Sequence, residues 1–255
     1  MTLRVPFISE ADIERDVQTL LAEYATSRDI TLMPPIPIED IIEKHLKLRV
    51  DFDDLHKVLD VPREGVAPDI FGAIWLDRGE IFIDESLDPD ERPSIEGRYR
   101  FTLAHEGGGH WRLHRRYLAQ DQEQTSLFGE VGKPTFVCRS SQAKERVEWQ
   151  ADFYASCMLM PKSFVTAAWC ERFGNDNPQL IRRGNWAPFF NDPSAEFKSM
   201  LNSGGQALDD QLLEQFARPF AQKFKVSPVA MRIRLERLGL LHREIPRQRS
   251  LLVRS

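Results

Sequence analysis

The chain has 255 residues, 42% of them hydrophobic, and a net charge of −5, which allows one large or two modest domains with a sizeable core. It has no stretch of eighteen apolar residues, and the N-terminal MTLRVPFISEADIERD lacks the apolar run of a signal peptide, so a cytoplasmic protein with no membrane span is expected. Three cysteines, Cys138, Cys157 and Cys170, form no C-x-x-C pair, which argues against a disulfide framework and a cysteine zinc ribbon. The charge is uneven: residues 216–255 hold ten Lys/Arg and two Glu, a net +8, which leaves −13 on the rest.

In chain order, Ser9 and Asp12 read as a capping box, and Ile13, Val17, Leu20, Leu21 and Tyr24 then recur at helical spacing. A proline-rich link at 33–37 leads to a second helix with Ile38, Ile41, Ile42 and Leu46 on one side. His45, near its end, is expected to be solvated rather than a ligand. Leu48, Val50 and Phe52 alternate as in a half-buried strand, and FGAIWL (71–76) and EIFID (80–84) flank Asp77-Arg78-Gly79 as a hairpin. A small antiparallel sheet is expected, followed by a helix from near Ser94 that runs into His105. Residues 119–142 read as a long polar loop, a lid or a disordered excursion. A helix over 143–160 is stopped by Pro161. Residues 166–207, Asn-, Gly- and Pro-rich from 171 on, read as an irregular insertion or linker. From 208 on the pattern is helical and basic, with a helix over 228–238 ended by Gly239.

The densest chemistry lies in FTLAHEGGGHWRLH (101–114), where His105, His110 and His114 fall within ten residues and Glu106 follows the first. In a zinc peptidase, His-Glu-x-x-His puts both histidines on one helical face with the acid beside the metal. Here three glycines make the spacing i, i+5, which on a regular α-helix separates the two rings by about 140°. Two geometries restore the pair: a π-turn, which closes i to i+5, or a glycine that leaves helical backbone. Three successive glycines oppose about 3 kcal/mol of helix formation, so something must compensate. His110 and His114 have i, i+4 spacing, but no acid follows His110.

A third metal ligand is offered by the helix 143–160, where Glu148 and Asp152 share a face; Glu145 is the rival. Asp152 is placed to accept the second N–H of a ligand histidine.

Together, RFTLAHEGGGHWRLH and ERVEWQADFYASCMLMP resemble the ImmA/IrrE family of zinc metallopeptidases, whose pattern is Ala-His-Glu-x-x-His followed by Glu-x-x-Ala-Asp/Asn-x-Phe-Ala-x-x-Leu-Leu-Met-Pro. Glu148, Ala151, Asp152, Tyr154, Ala155, Met158, Leu159, Met160 and Pro161 occupy the second pattern without a gap, and Ala104 and Trp111 flank the first on both sides of the extra glycine. The resemblance covers roughly residues 10–165, with a weaker echo over 224–240. It implies an α+β, zincin-like metallopeptidase domain (1–165), helices around a small antiparallel sheet, in which His105, His110 and Glu148 bind Zn2+, Glu106 is the general base and Asp152 supports a ligand. Either His114 or Tyr154 would stabilise the oxyanion.

The activity so implied is zinc-dependent endopeptidase cleavage of a protein substrate, such as a transcriptional repressor. The alternative is a catalytically impaired, metallopeptidase-like domain acting as a binding or regulatory module. The α-helical C-terminal extension (208–255) reads as a helix-turn-helix whose Arg232, Arg234 and Arg237 meet nucleic acid phosphates, or, the favoured reading, as a helical hairpin packed on the catalytic domain. Cys138, in the expected lid, carries a thiolate suited to zinc.

Overall fold

A computed structural model describes residues 5–62, 69–118, 134–139, 146–182, 185–190 and 206–243. The chain divides into two units, Met1–Phe164 with Gln222–Ser227, and Val165–Ala221 with Pro228–Ser255. The fold is mixed α+β. Among the described residues no helix is long and apolar enough to cross a membrane.

In the first unit, α1 (Glu10–Arg28) begins at Ser9, whose hydroxyl accepts from the Asp12 N–H and donates to its carboxylate. Its apolar stripe, Ile13, Val17, Leu20, Leu21 and Tyr24, is buried. A short helix, α2 (Ile38–Asp40), widens into a π-turn over Ile41–His45. His45 is half-buried, with Nδ1 3.4 Å from the Ser27 hydroxyl.

The sheet has the order β1 (Arg49–Asp53), β3 (Glu80–Asp84), β2 (Ile70–Trp75), β4 (Phe136–Arg139). It is mixed, which corrects the antiparallel expectation. The β2–β3 hairpin is antiparallel, with Trp75 opposite Glu80 and Gly79 at φ +66° in the loop. Strand β1 pairs with β3 rather than with β2, which follows it after the short helix α3 (Leu55–Val58). Two chain reversals separate β1 from β3, so they run the same way.

Strand β4 is a second correction, because residues 136–139 fall in the expected loop. They pair antiparallel with the free edge of β2, Ala73 opposite Val137 and Ile74 opposite Phe136. Residues 119–133 and 140–142 of the expected lid lie outside the described residues.

Three helical stretches form the other layer: α4 (Glu96–Ala104), the segment His105–His114 that continues it, and α6 (Arg146–Leu159), which packs on both and on α1. A brief α5 (Arg115–Leu118) follows His114. Helix α6 buries Ala151, Phe153, Tyr154, Ala155, Cys157, Met158 and Leu159. At about 1.5–3 kcal/mol for each fully buried large apolar side chain, this packing outweighs the helix propensity lost at the glycines.

Most of α7 (Lys162–Phe173) belongs to the second unit, which begins at Val165, and it replaces the start of the expected irregular segment. Pro161 ends α6 only for a new helix to begin, and Trp169 is buried against Phe173, Phe216 and Phe220. Two-residue strands β5 (Gln179–Leu180) and β6 (Leu241–His242) pair in parallel. The helix Gln206–Phe224 carries Pro219 inside it, and the helix Pro228–Arg237 ends ahead of Gly239 at φ +70°. Arg232 and Arg234 are buried. Arg232 forms ion pairs with Glu236 at 3.1 Å, Glu214 at 3.4 Å and Asp210 at 3.8 Å. Of the three arginines considered for phosphate binding, only Arg237 is exposed.

Candidate metal centre

The helix that begins at Glu96 changes pitch at the first histidine. His105–His114 is π-helical over ten residues and returns to α geometry at Arg115, whose N–H donates to the His110 carbonyl five residues back. A turn closed i to i+5 puts residues five apart on one face. His105 Nε2 and His110 Nε2 accordingly lie 3.1 Å apart.

The three glycines have no φ in the left-handed region, so backbone freedom is not what they supply. They supply the absence of a side chain. A Cβ at Gly109 would lie 2.5 Å from the Ala151 Cα and Cβ on α6, one at Gly108 2.7 Å from the Tyr154 ring, and one at Gly107 2.3 Å from Ile42 Cδ1. The π-helical segment is thereby pressed against α6, and α6 carries the acids. Glu148 Oε2 is 3.2 Å from His105 Nε2 and its Oε1 is 3.7 Å from His110 Nε2. Asp152, one turn further on, places Oδ1 3.0 Å from His105 Nδ1. The rival Glu145 lies outside the described residues.

Hydrogen bonds orient both rings. Asp152 accepts the His105 Nδ1–H, so the Nε2 lone pair of His105 faces the centre. On the other side, Gln150 Nε2 donates to the Pro6 carbonyl at 3.1 Å, which turns its Oε1 towards His114 Nε2 at 3.2 Å. His114 Nε2 is then the donor and its Nδ1 the acceptor, 3.1 Å from His110 Nδ1. His110 donates there and its Nε2 lone pair also faces inward. The tautomers follow from this network. Two inward lone pairs at 3.1 Å beside a carboxylate need a cation between them, a proton or a metal ion.

The expected oxyanion stabilisers have other duties. His114 lies behind His110 and is wholly buried. Tyr154 donates its hydroxyl to Asp16 at 2.9 Å. Six residues beyond Glu148, it sits about 240° round the helix from that carboxylate.

Glu106 is 0% exposed, and among the described residues neither carboxylate oxygen has a hydrogen-bond partner. Burial pushes its pKa up to about 8; the His105 charge opposes the rise, Glu148 adds to it, and the Cys138 backbone amide, outside hydrogen-bonding geometry, opposes it weakly. For His105, burial lowers the pKa, but Cys138, Glu148 and Glu106 outweigh burial and hold it at about 9. Burial and the neighbouring histidines push His110 well below its ordinary value, and burial brings His114 down to about 3. Of the two rings, His105 is thus the one whose surroundings favour the charged form and His110 the one whose surroundings oppose it.

The donor set fits a divalent metal. His105, His110 and Glu148 place ligand atoms within 4.8 Å of one another, and His105, Glu106 and Cys138 form a second, overlapping group.

No protein-family model and no curated protein matches the chain.

Gln150 and Phe136 complete the centre without having been singled out in the sequence. Gln150 is fully buried, and the Phe136 ring lies flat on that of His110, centroids 3.9 Å apart at 10°. An uncharged amide midway between Glu148 and Asp152 was the only signal for the first. The second needed the β2–β4 register. A hollow of about 320 Å³ lined by Leu46, Trp111, Arg112, Arg115 and Arg116 contains none of these residues.

Proposed function

We propose that this centre holds Zn2+ through His105, His110 and Glu148 and hydrolyses peptide bonds in a protein substrate. The observation that supports it most is the pair of Nε2 lone pairs converging with Glu148 beside a buried, unpartnered Glu106. A zinc ion bound there would supply Lewis acidity, polarising a carbonyl and acidifying water.

The chain's own groups divide the remaining work. Glu106, with both oxygens unsatisfied among the described residues and ionised once a bound cation offsets the burial that raises its pKa, takes a proton from the attacking water and returns it to the leaving amine. Asp152 holds His105, and the Gln150–His114 pair holds His110, so neither ring must reorient during the reaction. The resemblance in the two motifs points to a regulatory DNA-binding protein, such as a transcriptional repressor, as substrate. The impaired-domain alternative drew its force from the i, i+5 spacing, and the π-turn removes that geometric objection.

The test has two stages. Elemental mass spectrometry of the purified protein should find about one zinc per chain, the stoichiometry of a single three-ligand site. The zinc-loaded protein is then incubated with a peptide library and the products read by mass spectrometry. Cleavage is expected with the wild type and not with Glu106→Gln. Equal cleavage by both proteins would remove the mechanism.

A further inference from the structure

Strand β4 is where the sheet meets the metal centre. Alternation along a strand sends Phe136 and Cys138 to one face and Val137 to the other. Val137 joins the cluster of Leu55, Ile70, Ala73 and Trp75. Phe136 covers His110, and Cys138 brings its Sγ within 4.8 Å of a His105 ring nitrogen and a Glu106 carboxylate oxygen.

The approach is built into the ladder. Cys138 stands opposite Gly72 on β2. A Cβ at Gly72 would lie 2.6 Å from Thr102 Cγ2 and 3.2 Å from Glu106 Oε1. Only a residue without a side chain lets β2, and β4 with it, come this close to the histidine-bearing helix. The second independent sign is Glu106 itself, a wholly buried carboxylate with no hydrogen bond on either oxygen among the described residues, next to the thiol. Such a group is costly unless a cation or its water satisfies it.

We propose that Cys138 is a fourth protein ligand of the metal, delivered by β4 to the site of His105, His110 and Glu148. This rests on the metal assignment above. On binding, the thiol releases its proton to solvent and the thiolate sulfur takes the coordination position that a hydrolytic site leaves open. Four protein ligands make a closed centre and three an open one. The β4-docked form is therefore closed, and the wild type cleaves only through the fraction of molecules in which Cys138 has withdrawn.

Cobalt(II) provides the test, because it substitutes for zinc and reports its ligands by colour. The full-length apoprotein is reconstituted with Co2+ and its absorption recorded, for wild type and Cys138→Ser. Wild type should show visible d–d bands and a sulfur-to-cobalt charge-transfer band in the near ultraviolet. Cys138→Ser should keep the d–d bands and lose the charge-transfer band, and its zinc form should cleave peptides faster than wild type. Visible bands without charge transfer in the wild type, or a charge-transfer band that survives Cys138→Ser, overturn the assignment while leaving a metal site standing. Absence of any bands removes the metal site and this proposal together. A cleavage rate unchanged in Cys138→Ser removes that closure.

Discussion

The Nε2 atoms of His105 and His110 lie 3.1 Å apart although five residues separate them in the chain. The π-helical turn that makes this possible depends on close packing at Gly107, Gly108 and Gly109, and the three positions differ in what a methyl group would strike. At Gly109 it meets the α6 backbone, which cannot swing away. Gly109→Ala should cost about 1–3 kcal/mol by overpacking, offset only in part by about 1 kcal/mol of helix propensity. At Gly107 the neighbours are side-chain atoms of the buried Ile42, Cδ1 at 2.3 Å with Cγ1 and Cγ2 at 3.1 and 3.2 Å, and a side chain yields more readily than backbone, so Gly107→Ala should cost less than Gly109→Ala, about 1 kcal/mol net. Urea unfolding ranks the two. Equal or reversed costs would contradict the packing account.

Two partners outside the ligand set should control metal affinity. Asp152→Asn weakens the acceptor for His105, and Gln150→Leu breaks the relay through His114 to His110. Each should weaken zinc binding by about 10–100-fold, read by competition with a chromogenic chelator. Gln150→Leu also leaves the His114 Nε2–H buried and unpaired, at a stability cost of about 1–3 kcal/mol. Zinc affinity unaltered in both variants would show that the rings are held by packing alone.

In the second unit, Arg232 is the buried cation shared by Glu236, Glu214 and Asp210. Breaking a fully buried pair costs about 3–5 kcal/mol; here the acids are partly exposed, so Arg232→Ala should destabilise by about 2–3 kcal/mol. Thermal unfolding followed by circular dichroism measures it. A loss below about 0.5 kcal/mol, ordinary for a surface substitution, would mean that the cluster is no structural element.

Tyr24, whose ring meets that of His45 edge-on with centroids 5.8 Å apart, offers a pH test at a residue outside the ligand set. Burial first, and then the hydrogen bond its hydroxyl donates to Asp40 at 2.6 Å, push its pKa up to about 12 from the ordinary 10.0. The folded state thus holds this proton more tightly than the unfolded chain. Its contribution is fully present below pH 10 and is lost as pH rises towards 12. Wild type should exceed Tyr24→Phe in stability at pH 8, and the gap should narrow as the pH approaches 12. A gap that widened would reverse the sign.

Local signals carried much of the first unit. The Ser9 cap, the stripe on α1 and the β2–β3 hairpin were all legible because each is encoded within a few neighbouring residues. The i, i+4 spacing of Glu148 and Asp152 likewise put both carboxylates beside one histidine ring. What escaped depends on contacts distant in the chain. Strand β4 is four residues long, and its pairing with β2 comes from more than sixty residues upstream. The parallel β1–β3 pair needs the whole strand order. Helix α7 was missed because Pro161 reads as a stop, though proline is equally at home just ahead of a new helix. Arg232 read as surface charge because two of its three acids, Asp210 and Glu214, lie on the preceding helix; Arg234, also buried, read the same way.

The wide turn also bears on how such centres are found. A helix can absorb one extra residue as a single broad loop of its own spiral without turning its flanks away from their partners. A search phrased as letters at a fixed interval passes over the result. One phrased as the separation of two ring nitrogens in space would retrieve it at once.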